Sequence, residues 1–239
     1  MTVRGKSDII DPNIIYILIF FYFFKKEWIK MSDDKNYIAN LSEMHFDVLR
    51  EIGNIGSGNA ASSLSVMLNT KVDMNIPVVK ILDVEELAET IGGPETQVVG
   101  ILFTLHEDFE GMMMFLTQKQ FAHLVLNILM DKHFDSFEDL GEMDISAVKE
   151  VGNIMVSSYM GAISQMTNFK IALSPPSIAI DMAGALLNVP AVEIEKYGDK
   201  ALFIQDGFIN GDNQVTSYLI MIPEVGYLKK LFQVFGMDV

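Results

Sequence analysis

The sequence predicts an α+β domain of two layers: one six-stranded sheet with two long helices on one face, arranged as a pseudo-two-fold repeat. Three observations predict it. First, sliding the chain by 99 residues places Glu51, Gly53, Asn54, Ile55, Asn69 and Pro77 on Glu150, Gly152, Asn153, Ile154, Asn168 and Pro176. Twelve identities fall in the thirty-seven positions from Leu41 to Pro77, where average residue usage gives roughly two or three. Second, each copy shows the same order of elements: long helix, strand, short helix, hairpin, closing helix. Third, the copies span about 31–130 and 131–239, and three strands alone bury too little for a stable core. One joined sheet therefore serves both copies.

The long helices are expected at 41–68 and 140–167. Their small residues, Ala60, Ala61 and Ser65 in one copy and Gly161, Ala162 and Ser164 in the other, mark the packed side. Strands follow at 70–79 and 169–178, ended by Pro77 and by Pro175-Pro176, because proline cannot donate to a ladder. A short helix is opened in each copy by an aspartate, Asp83 or Asp181. Glu86 completes a capping box in the first copy, and Gly92-Gly93-Pro94 stops that helix. The hairpins are 97–106 with 110–116 and 200–209 with 214–222. They turn through Glu107-Asp108 and through Asn210-Gly211-Asp212-Asn213. Closing helices lie at 117–130, with Thr117 and Gln120 as a capping box, and at 224–235. Met112-Met113-Met114 reads as core strand.

Residues 1–30 differ from this body. They carry five Lys/Arg and three Asp/Glu, against a net charge of −15 for the chain. The apolar run from Ile14 to Phe24 is shorter than the roughly 20 residues of a membrane span. No small-residue cleavage pattern follows it. Lys26-Glu27-Trp28 can be encoded by a purine-rich ribosome-binding stretch just before Met31. The segment is expected to be a non-native extension, with Met31 as the natural start; a membrane association would require it to be real.

The acidic charge argues against a nucleic-acid partner, since phosphates need a basic face. The absence of cysteine excludes disulfides, thiolate metal sites and cysteine nucleophiles. His45, His106, His123 and His133 show no paired ligand spacing, and no metal site is expected. Gly53, Gly56 and Gly58 are spaced G-x-x-G-x-G inside a helix, which is not a dinucleotide fingerprint.

One constellation is kept in both copies. Glu51 with Asn54, and Glu150 with Asn153, sit three apart on the long helices. Asp47 or Ser146 stands four residues before each glutamate, and positions i, i+4 and i+7 share one helix face. Asparagine is a poor helix-interior residue because it competes for backbone hydrogen bonds. Its repetition beside a glutamate points to a role outside helix stability.

The pattern [Asp/Ser]-x3-Glu-x2-Asn-x22-Pro thus occurs twice: Asp47, Glu51, Asn54, Pro77 and Ser146, Glu150, Asn153, Pro176. It resembles the CheC family of bacterial chemotaxis phosphatases, related to CheX and to the flagellar switch protein FliY. The resemblance covers about 40–239. It implies a cytoplasmic phosphatase acting on the aspartyl phosphate of phosphorylated CheY. Asn54 and Asn153 would orient the attacking water, and Glu51 and Glu150 would hold a lysine of CheY. The two sites, on separate helices, are expected to act independently. No cofactor of the chain's own is implied; Mg2+ would come with CheY. The family also binds the receptor deamidase CheD, which the resemblance places on the short helix near Asp181. A non-catalytic CheD-binding adaptor and a flagellar-switch-associated CheY-binding protein are the alternatives.

Overall fold

The computed structural model describes residues 37–197 and 200–237. The expected extension at 1–30 lies outside them.

Six helices are described: α1 Glu43–Leu68, α2 Val84–Ile91, α3 Lys119–Met130, α4 Glu142–Thr167, α5 Ala183–Tyr197 and α6 Val225–Val234. Eight strands accompany them: β1 Asp73–Met74, β2 Val78–Leu82, β3 Gln97–Glu107, β4 Gly111–Gln118, β5 Ile171–Leu173, β6 Ser177–Met182, β7 Ala201–Asn210 and β8 Asn213–Pro223. The long helices α1 and α4 stop alike. Asn69 and Asn168 adopt left-handed backbone at φ 48° and 61°, which asparagine tolerates better than most residues. Their duplication is therefore structural.

The strands form one antiparallel sheet. Its centre is β7-β8-β4-β3, with β1 and β2 both on β7 and β5 and β6 both on β3. The sheet is six strands wide, as expected, but each edge strand is split in two. The prolines interrupt these strands rather than ending them: pairing resumes at Val78 after Pro77 and at Ser177 after Pro176. The gaps stay on the same neighbour, because the Asn75 amide donates to the Gly207 carbonyl at 2.9 Å and the Ser174 amide to the Thr104 carbonyl at 3.0 Å. The edges are also exchanged. The first copy's β1 and β2 complete the second copy's hairpin, and the reverse holds for β5 and β6. Across the pseudo-two-fold axis, β4 pairs with β8 from Gly111↔Pro223 to Thr117↔Ser217.

The face under α1 and α4 is the larger core. Leu49, Ile52, Leu64, Val151, Met155 and Ile163 bury against Ile101, Phe103, Phe115, Ile204 and Leu219, and α3 and α6 join through Phe121, Val125, Leu228 and Phe232. The two-layer arrangement gains a smaller third layer. Leu87 and Ile91 of α2 and Leu187 and Ile194 of α5 cover the opposite face through Val98, Leu116, Phe203 and Ile220. Strand alternation explains this: both faces of the central strands are apolar, so both must be covered. Met113 accordingly enters one core, and Met112 and Met114 the other.

Local signals fare unevenly. Asp83 caps α2 as expected, accepting from the Glu86 amide at 2.8 Å while Glu86 accepts from the Asp83 amide at 3.0 Å. The C-terminus of α2 is Gly92 at φ 117°. Asp181, by contrast, does not open α5; it pairs within β6 opposite Val98. The first two amides of α5 instead donate to main-chain carbonyls, Ala183 to Thr96 at 2.8 Å and Gly184 to Pro94 at 2.9 Å. At the 99-residue offset Asp181 corresponds to Leu82, a strand residue, and not to Asp83. The Thr117–Gln120 capping box does not form either. Thr117 is a fully buried β4 residue between Val99 and Ser217, and Gln118 precedes α3. Gly161 lies on the exposed side of α4 instead of the packed side. The first hairpin turns after Glu107, whose φ is 80°, while the second closes on Gly211-Asp212 between paired Asn210 and Asn213.

Candidate functional site

The outer side of α1 and α4 carries both Glu/Asn pairs. Glu51, Asn54 and Glu150 are exposed and Asn153 is half-buried. Among the described residues, none of these four side chains is engaged in a hydrogen bond or ion pair. Two carboxylates and two carboxamides are thus held on rigid helices and left free for an external ligand.

The residue between each glutamate and asparagine explains the placement. Gly53 and Gly152 are buried and point at the sheet. A Cβ at Gly53 would stand 3.1 Å from Cγ of Pro77. One at Gly152 would collide with Ile101 Cδ1 and stand 3.2 Å from Phe115 Cδ1. The helices sit low on the sheet here, with little room beneath Gly53 and Gly152, and the neighbouring asparagine falls on the side of the helix turned away from the sheet. This gives Pro77 its place in the pattern: its ring is the floor under Gly53. The sequence signal was present in the shared glycines, but spacing alone could not tell floor from cradle.

The two sites have different flanks. Near Glu51, Arg50 Nη1 meets Asp47 Oδ1 at 2.8 Å, and Arg50 Nη2 meets Glu43 Oε2 at 3.4 Å. Asp47 is therefore a partner of Arg50 and an exposed support on the helix surface. Beside Asn153 an open cleft of about 390 Å³ runs between the helices, lined by Asn59, Ser63, Ile154, Ser157, Ser158 and Gly161.

Beneath the face, α1 and α4 are tied to β7. The buried carboxylate of Asp206 accepts from the hydroxyl of Tyr159 at 2.6 Å and from Ser57 Oγ. Burial pushes the Asp206 carboxyl up from its ordinary value, and burial and then the nearby Asp206 charge push the Tyr159 hydroxyl well above its own. No sequence motif marked this triad; its members lie far apart in the chain and meet only in the fold.

Asp181, the remaining expected site residue, lies away from these pairs at the end of β6. It is exposed, and its Oδ1 accepts from the Met182 amide at 2.7 Å. Met182, Val189 and Val192 beside it and on α5 are exposed apolar side chains at 53%, 46% and 65%. The structure also joins two histidines that the sequence left unpaired. His123 and His133 have ring centroids 5.3 Å apart and line a cleft of about 500 Å³ with Lys119, Asn127 and Gln214.

Comparison with known proteins places the chain in a family. The profile of the CheC-like family matches residues 44–81 and 143–180, one Glu/Asn pair in each segment. The CheY-P phosphatase CheC of Bacillus subtilis (strain 168) is 32% identical over 201 residues, which cover 82% of this chain and 96% of the relative. The flagellar motor switch phosphatase FliY of the same organism is 31% identical over 144 residues, 60% of this chain but 37% of that protein. Among solved structures, Thermotoga maritima FliY superposes with a TM-score of 0.66 at 22% identity, covering 82% of this chain and 98% of that one. The middle domain of Helicobacter pylori FliM gives 0.61 at 11% identity, covering 80% and 99%, and shares the fold alone. The chain belongs to the CheC-like family. Among the described residues, no helix is long and apolar enough to cross a membrane.

Proposed function

We propose that this protein hydrolyses the aspartyl phosphate of phosphorylated CheY at two related sites, Glu51/Asn54 and Glu150/Asn153. The observation that carries the reading is the duplicated, outward-facing and unpartnered Glu/Asn pair in a chain 32% identical to a CheY-P phosphatase. Each asparagine carboxamide holds a water in line with the phosphorus, donating or accepting without repelling phosphate oxygens. The water oxygen forms the new bond to phosphorus while the bond to the aspartyl oxygen breaks. Inorganic phosphate leaves, and the CheY carboxylate is restored. Each glutamate anchors a lysine ammonium of CheY and so fixes the approach. Phosphoryl transfer through a loose transition state needs this positioning more than it needs a protein nucleophile. Mg2+ is carried by CheY as part of the substrate. The decay of radiolabelled phosphoryl-CheY with and without the full chain tests the reading; an unchanged decay rate would favour a non-catalytic adaptor.

The receptor deamidase CheD is the second partner proposed, docking where Asp181 and the exposed Met182, Val189 and Val192 adjoin. Exposed apolar side chains beside a carboxylate support a protein contact there. Asp181→Lys should weaken CheD binding in titration calorimetry with helix content unchanged, since Asp181 caps no helix; equal affinity would move the contact elsewhere.

A further inference from the structure

The two sites share one face of an antiparallel helix pair. Gly56 of α1 lies under the ring of Tyr159 of α4, with 2.7 Å from its would-be Cβ to Tyr159 Cδ1, and Ser57 Oγ is 3.2 Å from the Tyr159 hydroxyl. Further along α1, Asn59 and Ser63 share their cleft with Asn153, Ser157 and Gly161 of α4. Later residues of one helix thus meet earlier residues of the other. With residue 56 level with 159, Asn153 stands level with Ser62. Asn54 and Asn153 are then separated by about eight residues of rise, roughly 12 Å. Across the pair they are one interaxial distance apart, about 8–10 Å. The asparagines lie about 15 Å apart by this geometry, and the glutamates, one turn further out, about 23 Å.

A globular domain of ordinary size is about 30 Å across. We infer that the two sites are mutually exclusive: a single phosphorylated CheY covers the helix pair, and the chain holds one substrate at a time. This rests on the phosphatase reading above and goes beyond it, since separate helices alone would suggest two independent sites. Duplication then gives two equivalent ways to capture one substrate, in orientations related by the pseudo-two-fold axis, rather than two simultaneous turnovers.

The test is a stoichiometry measurement by sedimentation velocity. The full chain is titrated with CheY loaded with magnesium and beryllium fluoride, a stable mimic of the aspartyl phosphate. Binding should saturate at one CheY per chain. Glu51→Lys and Glu150→Lys, both exposed charge reversals, should each still saturate at one, through the site left intact. Saturation at two equivalents on the unaltered chain overturns the inference and leaves the phosphatase reading standing. Loss of binding in either single variant also overturns it, because one CheY per chain would then reflect one competent site. No binding by the unaltered chain sinks the phosphatase reading itself.

Discussion

The two halves of the molecule share a backbone plan and differ in how they support the same chemical pair. In the first half, Glu51 and Asn54 sit above Gly53 on the Pro77 ring, with Arg50 held alongside by Asp47 and Glu43. In the second, Glu150 and Asn153 sit above Gly152 on Ile101 and Phe115, and Asn153 opens into a polar cleft. Beneath them the difference is sharper. Val78↔Gln205 and Ser177↔Leu102 are equivalent pairings, so Asp206 of β7 corresponds to Phe103 of β3. Ser57 and Tyr159 correspond to Val156 and Ala60 at the 99-residue offset. One side of the axis is tied by a buried hydrogen-bonded triad and the other by apolar contact. What both halves retain is therefore the outward Glu/Asn pair and the glycine beneath it, while the deeper packing diverged.

The largest effect should come from removing what the halves share. Asn54→Ala with Asn153→Ala should slow CheY dephosphorylation on the order of 10²-fold, the usual loss for one preorganised polar group. The fold should be intact by circular dichroism, since Asn54 is exposed, Asn153 is only half-buried and neither side chain has a partner to lose among the described residues. A parent rate in the double variant would leave the shared face without a catalytic role. Next is the floor beneath each pair. Gly152→Leu should cost ~1–3 kcal/mol in urea unfolding through overpacking against Ile101 and Phe115. It should also lower activity at that site by lifting Asn153. A neutral result would show that the helix is not seated as closely as the sheet contacts indicate.

The triad sharpens the comparison through pH. A carboxyl whose folded pKa is raised keeps its proton longer in the folded chain than in the unfolded one. Its stabilisation is complete below the unfolded value, about 4, and is lost as pH rises through the folded value. Asp206→Asn removes that titration, so its melting temperature should fall less than the parent's as pH is raised above 4. Phe103, the counterpart, does not titrate. Parallel melting profiles would show that Asp206 does not carry it. The smallest effect should be at Arg50. Its ion pairs are exposed, and Arg50→Ala should cost about 0.2–1 kcal/mol, shrinking further with added salt.

Much of the molecule was legible in the sequence because it is locally encoded. The long helices begin within two residues of expectation and end on it, at Leu68 and Thr167. The Asp83–Glu86 box and the Gly211 turn form where their residue types require. The Glu/Asn pairs were found because a duplicated spacing is visible without a structure. Asp181 and Thr117 misled because a cap residue is only a cap if the chain becomes helical just after it, and sheet pairing took those positions first.

The sequence by itself determined the repeat, the long helices and the pairs they display, since all three follow from periodicity and spacing along the chain. Only the tertiary structure decided which strand completes which hairpin, that two short helices cover the second face, and that Ser57, Tyr159 and Asp206 meet. Strand exchange satisfies the open edges of the hairpins with hydrogen bonds to the other copy. The extra layer covers apolar area that one face of helices leaves exposed. The triad supplies partners to polar groups that burial deprived of water. Each is an exchange of solvent for a distant segment, and no local window of residues contains both sides of it.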